Sequence, residues 1–297
     1  MSAARKIYDQ LPAGIRNQIR SLTPRELRRW NAHRKTDVYL VSYPKCGRTW
    51  LRLMIGSAIA KHFSLTEDED TLFLRWKTKP HPQVPMITVT HDDRPMLKAA
   101  HELQASKEKY RNKKVIFLAR DPRDVIVSSY FEMKKRGNLF GDNPYETRRG
   151  VYDGDLKGFI DREVGGLDTI LRYYNIWAEN RSIPRDFLLV RYEDLKRDPQ
   201  VELRRVMDFL GLHAISAATM QEAIDFSSFE NMRKMEAEGR FQSGMLKPAE
   251  KNDQDSYKTR KGKVGGYADY LDSQEVERIN YKMQTVLSDF YGYQTLT

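Results

Sequence analysis

The run Tyr43-Pro44-Lys45-Cys46-Gly47-Arg48-Thr49-Trp50 constrains this chain more than any other stretch. An apolar segment, Val38 to Val41, enters it, and a helix-patterned run containing Leu51, Leu53, Met54, Ile55, Ala58 and Ile59 leaves it. That order reads as strand, tight turn, helix. The turn puts a lysine, a glycine and a threonine where a helix N-terminus should begin. Free backbone N–H groups and the positive end of the helix dipole then point at one spot, which suits an anion. The loop departs from the G-x-x-x-x-G-K-[ST] phosphate loop, because its lysine precedes its glycine and the loop is short. The competing interpretation is an ordinary strand–helix turn with a surface lysine.

Four short runs rich in Val, Ile, Leu or Phe carry little polar alternation: Val38–Ser42, Met86–Thr90, Val115–Ala119 and Phe187–Arg191. Such runs suit parallel strands buried on both faces. Helical patterns over Thr49–His62, Met96–Lys109, Pro122–Lys135 and Leu167–Asn180 alternate with them. The alternation predicts an α/β domain with a central parallel sheet flanked by helices and a P-loop-like strand–loop–helix at its start. Asp121-Pro122 and Asp198-Pro199 each place an N-cap acid before a proline at the first helical position, and Gly211 ends the second of these helices. Ligands of such sheets bind beyond the carboxyl ends of the strands. The residues there are Tyr43 to Lys45, His91, Arg120 and Tyr192, so pattern alone gathers a lysine, a histidine, an arginine and a tyrosine on one rim.

Residues 1–35 are basic and partly helical, with a helix over Arg25 to Lys35 capped by Thr23-Pro24, and read as a peripheral extension to a domain over 36–297. A hydrophobic fraction of 40% and a mean hydropathy of −0.70 describe a soluble globular chain. The longest apolar stretch, Leu53 to Ala60, is too short to span a bilayer, and no apolar segment of a secretory signal follows Met1-Ser2-Ala3-Ala4. The single cysteine, Cys46, precludes an internal disulfide and fits a reducing, cytoplasmic setting. The net charge of +10 favours anionic partners. Acids interleave with the basic residues and no nucleic-acid-binding motif is present, so neither nucleic acid nor membrane is expected as a partner.

Tyr43-Pro44-Lys45-x-Gly47-x-Thr49-Trp50 resembles the phosphosulfate-binding loop of the sulfotransferases that use 3′-phosphoadenosine 5′-phosphosulfate (PAPS). Two further segments follow in the family's order. Arg120-Asp121-Pro122-Arg123-Asp124-Val125-Ile126-Val127-Ser128-Ser129-Tyr130 resembles the segment that holds the 3′-phosphate. Arg260-Lys261-Gly262, followed by Gly265-Gly266-Tyr267, resembles the C-terminal R-K-G-x-x-G segment. Three ordered motifs are far more specific than any one of them.

The resemblance implies a direct transfer of SO3 from PAPS to a hydroxyl or amine, leaving 3′-phosphoadenosine 5′-phosphate (PAP) and needing no metal. That chemistry needs a general base and a cation. Of the six histidines, only His91 sits at a strand end, in a Thr90-His91 pair like the family's K-T-H segment, although Val89 stands where that lysine would be. The resemblance makes Lys45 the electrostatic partner. Cys46, Gly47, Arg48 and Thr49 are expected around the 5′ end, with Trp50 and Tyr192 beside the adenine. Arg120 and Ser128 are expected on the 3′-phosphate, Arg123 at the surface, and Ser227 and Phe229 at the adenine edge. Arg260, Lys261 and Gly262 are expected to close over the 3′-phosphate behind a polar lid, residues 236–259.

Asp92 and Asp93 are expected to orient His91, to cap a following helix, or to favour a cationic acceptor. The acceptor pocket is expected from segments 62–85, 134–155 and 236–259, whose aromatics include Trp76, Phe140, Tyr145 and Phe241, and whose basic runs Lys134-Lys135-Arg136 and Arg148-Arg149 would suit an anionic acceptor. Oligomeric state is left open. Two other classes compete: a magnesium-dependent P-loop kinase, which the lack of a Lys-Ser/Thr pair disfavours, and a basic binding module for nucleic acid or anionic membrane.

Overall fold

Four parallel strands, β1 (Val38–Ser42), β2 (Ile87–Thr90), β3 (Lys114–Ala119) and β4 (Asp186–Arg191), lie in the order β2-β1-β3-β4 in a computed structural model that describes residues 24–137, 151–242 and 246–294. The strand limits agree with the sequence patterns to within one residue. All of β1 and the last five residues of β3 are buried, as strands covered on both faces must be. Leu40 at the sheet centre is fully buried, a burial worth about 2 kcal/mol for a leucine side chain. The chain runs outward from β1 to β2 and returns to β3, so the switch in strand order falls between β1 and β3.

The helices are α1 (Pro24–Lys35), α2 (Arg48–His62), α3 (Pro122–Arg136), α4 (Leu167–Glu179), α5 (Tyr192–Arg197), α6 (Pro199–Leu210), α7 (Ala217–Phe226), α8 (Phe229–Glu238) and α9 (Ser273–Val286), with single-turn helices at Glu69–Leu72 and Leu156–Ile160. Every residue of α2 from Leu51 to Ala60 is buried. Asp198 accepts from the Val201 N–H to cap α6, and Gly211 ends it in the left-handed conformation, as the sequence predicts. Among the described residues no helix is long and apolar enough to cross a membrane.

Two expectations are corrected here. Met96–Lys109 is not a helix but a chain of three 3₁₀ turns, Pro95–Leu97, Ala100–Glu102 and Glu108–Tyr110. Asp92, Asp93 and Arg94 are all left-handed, with φ of 44°, 43° and 54°. The Asp93 carboxylate then accepts from the Gln104 N–H at 2.5 Å and from Lys98, which takes a backbone donor that a helix would have used. Arg123, expected at the surface, is buried. It pairs with Asp121 at 2.6 Å, donates to Asn280 Oδ1 at 2.8 Å and lies 4.6 Å over the Tyr267 ring. The cap of α3 is therefore a double one, because Asp121 also accepts from the Arg123 N–H at 2.8 Å.

Candidate functional site

Sheet register decides which side chains meet. Thr90 of β2 pairs with Val41 of β1, so His91 comes to lie beside Ser42. There the His91 Nδ1–H donates to the Ser42 carbonyl at 2.9 Å. A carbonyl only accepts, so the proton of the neutral ring is on Nδ1 and the basic lone pair is on Nε2. Nε2 faces the loop after β1 and accepts from Arg48 Nη2 at 2.6 Å.

The same loop opens a cavity of about 350 Å³ at the carboxyl ends of β1, β2 and β3. Lys45 and Gly47 are both left-handed, and no side chain caps the first turn of α2, which leaves its amides facing the cavity. At Gly47, φ is +86° and a Cβ would stand 2.6 Å from Tyr192 Cδ2, so only glycine fits. Nine lysines and arginines line the cavity against two carboxylates, Asp124 and Glu132, which makes it a receptor for a polyanion.

A second cluster of donors lies at the β3 end. Arg120 donates to the Lys45 carbonyl at 3.3 Å and the Lys263 carbonyl at 2.9 Å, pairs with Asp124 at 3.2 Å and stacks 4.4 Å over Tyr192. Its Nε is buried and has no partner among the described residues. Ser128 lines the cavity from the second turn of α3, as the helix spacing requires. Asp124 Oδ2 accepts from the Gly265 N–H and Oδ1 from the Tyr267 N–H, both at 3.0 Å, which fastens the segment after Gly262 to the start of α3. Arg260 lies 4.0 Å over Phe131 and pairs with Asp255 at 3.7 Å, and Lys261 pairs with Asp269 at 3.0 Å.

An aromatic slot adjoins the charges. Trp50 meets Tyr192 edge-on at 5.7 Å, and Phe229, the first residue of α8, lines the same wall. A Cβ on Gly262, at φ +59°, would stand 2.6 Å from the Phe229 ring.

Lys45, Gly47, Arg48, Thr49, Trp50, His91, Arg120, Ser128, Tyr192, Phe229, Arg260, Lys261 and Gly262 thus all line one cavity. Cys46 and Ser227 do not. Cys46 is fully buried, with Sγ 3.3 Å from the Tyr174 hydroxyl, and burial pushes its thiol up to about 12, so it is an inert packing residue. Ser227 is fully buried and its Oγ donates to the Ala223 carbonyl at 2.8 Å. Neighbouring Ser228 caps α8 instead, accepting from the Asn231 N–H at 3.3 Å.

Asp92 and Asp93 are committed elsewhere. Asp92 is buried and bound by Lys107 at 2.7 Å, Lys109 at 2.5 Å and the Tyr110 hydroxyl at 2.8 Å. Burial alone would raise its carboxyl, but the two ammonium groups outweigh burial and hold it below the usual carboxylate value. Asp93 holds Lys98 and the Gln104 backbone. They shape the turn after His91 and leave little charge for a cationic acceptor.

Sequence reasoning missed the supports behind the site. Adjacent Tyr173 and Tyr174 of α4 hold two strand ends. Tyr173 donates to the His91 carbonyl at 2.9 Å; the Tyr174 hydroxyl donates to the Arg120 carbonyl at 2.8 Å and accepts from its N–H at 3.0 Å. A Leu-Arg-Tyr-Tyr run on an amphipathic helix reads as core, and only the strand-end geometry discloses its second task.

The two ends of segment 236–259 are tied together, because Glu236 is fully buried and accepts from the N–H groups of Lys258 at 2.6 Å and Thr259 at 2.9 Å. A second, larger cavity of about 1020 Å³ shares Pro44, Arg48 and His91 with the first. Among the described residues its other walls come from α1 around Trp30, Tyr39 of β1, β2 and the turns from Asp92 to Tyr110, and none from the segments expected to hold an acceptor. Phe140, Tyr145, Arg148 and Arg149 lie outside the described residues.

The family described as Sulfotransferase domain matches residues 35–291. Cytosolic sulfotransferase 12 of Arabidopsis thaliana is 27% identical over 86% of this chain and 78% of its own. Flavonol 3-sulfotransferase of Flaveria bidentis is 25% identical over 82% and 79%. Among solved structures, a mouse sulfotransferase complexed with PAP superposes with a TM-score of 0.56 at 20% identity, covering 85% of this chain and 84% of its own.

Proposed function

This chain belongs to the sulfotransferase domain family and transfers a sulfuryl group from PAPS to an acceptor, and we propose that it does so by direct in-line displacement onto a hydroxyl or amine of a small molecule, with His91 as base. The observation that carries this reading is that His91 lines both cavities, with Nε2 as its basic nitrogen. Bound PAPS supplies the sulfuryl group and departs as PAP. The kinase and binding-module readings give way to the family assignment.

The residues present fit the donor. The buried, partnerless Nε of Arg120, with Ser128, suits one phosphate, and the open first turn of α2 with Lys45 suits the phosphosulfate. Trp50, Tyr192 and Phe229 offer the adenine flat apolar walls. His91 Nε2 takes the proton of the acceptor as the acceptor atom bonds to sulfur. The bond from sulfur to the bridging oxygen breaks, and its electron pair stays on the phosphate, where Lys45 meets the growing charge. His91 can accept that proton once Arg48 releases Nε2 and turns toward the anion.

The acceptor enters through the larger cavity, whose apolar members Trp30, Met96 and Leu97 stand beside polar Thr90 and Gln104. That lining suits a small, partly apolar molecule bearing one hydroxyl or amine. A cytoplasmic site of action is supported by the relatives named cytosolic. Transfer of labelled sulfate from PAPS across a panel of phenols, alcohols and amines tests the function. Calorimetry showing no PAP binding would overturn it.

A further inference from the structure

Lys258 is a cation of the donor cavity that none of the three sequence motifs contains. Its backbone is held firmly, since the Lys258 N–H donates to Glu236 Oε1 at 2.6 Å, and the N–H and hydroxyl of Thr259 donate to Oε2 at 2.9 and 2.6 Å. Its side chain lines the cavity, and among the described residues its ammonium has neither a hydrogen-bond partner nor a carboxylate within ion-pair distance. The other cavity lysines of known pairing differ: Lys45 is bound to Glu132, and Lys261 and Lys263 to Asp269.

The charged groups that face Lys258 fix which end of the cavity it occupies. They are Glu132 and Arg136 of α3, Lys45 of the loop after β1 and Arg48 of α2, while Glu236 of α8 is taken up by its backbone. Arg48 touches His91, so this is the end where transfer takes place, away from the Arg120 cluster. Glu132 is the one carboxylate among them that acts on the ammonium, and it is already bound by Lys45 at 2.6 Å and Arg136 at 3.2 Å. A half-buried ammonium that shares one carboxylate with two other cations is stabilised further when an anion arrives.

We propose that Lys258 is a catalytic residue of the transfer, contacting the 5′ phosphosulfate end of the donor and sharing with Lys45 the charge that grows as the sulfur–oxygen bond breaks. The inference rests on the PAPS sulfotransferase reading. Burial pushes the ammonium down to about 7, and Lys45, Arg136 and Arg48 push the same way against the pull of Glu132. Donor binding therefore draws a proton onto Lys258 in weakly alkaline solution.

The test compares Lys258→Met and Lys258→Arg with the wild type, using PAP and adenosine 3′-monophosphate as calorimetric probes. Lys258→Met should weaken PAP about tenfold, leave the 3′-monophosphate within about twofold, and lower kcat about a hundredfold. Lys258→Arg should recover part of both losses. At pH 8, where a phosphate whose second ionisation lies near about 6 is fully charged, PAP binding to the wild type should take up protons, read from buffers of different ionisation heat. Lys258→Met should abolish that uptake. Equal weakening of both nucleotides would show a merely structural role, and unchanged PAP affinity with unchanged kcat would also overturn the assignment. If the wild type binds no PAP at all, the sulfotransferase reading fails instead.

Discussion

The Lys45 ammonium stands 2.6 Å from the Glu132 carboxylate inside the donor cavity, so the loop lysine is already paired before any anion arrives. Arg136 shares the same carboxylate at 3.2 Å. Burial opposes the charge on Glu132, but Lys45, Lys258 and Arg136 outweigh it and hold the carboxyl far below its usual value. Donor binding must exchange this partner for the phosphosulfate.

Glu132→Gln should therefore act in opposite directions on fold and ligand. The free protein loses about 3 kcal/mol, because Lys45 is left without its counter-ion and Arg136 keeps only Glu236, at 3.6 Å. PAP affinity rises several-fold, because an anion leaves an anion site. Thermal melts with and without PAP, with calorimetry, check this; a fall in affinity would mean that Glu132 positions Lys45 rather than competing for it. The carboxyl is held low in the fold, so its contribution is present above the unfolded value, near about 4.3, and fades only as pH falls further. The melting difference between wild type and variant should be flat from about pH 5 to 8 and narrow in acid.

His91→Ala should lower kcat by a factor of about 10² to 10⁴ while PAP affinity changes less than about twofold. The readouts are steady-state transfer with PAPS and calorimetry with PAP. Parallel loss of both would make His91 a structural member of the β1–β2 rim.

Gly262→Ala should weaken PAP by about tenfold, since the added Cβ would sit 2.6 Å from the Phe229 ring and move an adenine wall. Gly211→Ala is the control. Its φ is +79° but nothing lies within 4 Å, so it should cost about 1 kcal/mol of stability and leave PAP binding untouched. Equal effects of the two on binding would remove Phe229 from the site.

Asp92→Asn should destabilise the protein by about 3 kcal/mol, because Lys107, 1% exposed, loses its buried partner. The carboxyl is held below its usual value, so the wild-type advantage is present above about pH 4 and lost as pH falls through the lower folded value. Urea melts at pH 7 and at pH 3 measure it.

The strands, the caps of α3 and α6 and most of the rim were legible because each depends on neighbours in sequence: an apolar run, an acid before a proline, a residue just past a strand. What was missed depends on partners far along the chain. Arg123 looks solvated until Asn280 and Tyr267 close over it. The helical pattern over Met96–Lys109 loses to Asp93, whose side chain captures the Gln104 backbone. Ser227 and Ser228 are adjacent, and only the turn from α7 into α8 puts the first into the core and the second at a cap. The empty charge position at Val89 was visible, whereas Lys258 looked like one basic residue among many in a polar stretch.

Tyr173 and Tyr174 are consecutive on α4, and each grips a different strand end, the first through the His91 carbonyl and the second through the Arg120 backbone. The proton acceptor and the arginine of the phosphate cluster are thereby bolted to one rail. When the domain breathes, both travel with that rail, and the spacing between them is kept. Exchange of the Arg120 amide, which donates to Tyr174, should accordingly slow or quicken in step with α4 and not with the loop before α2.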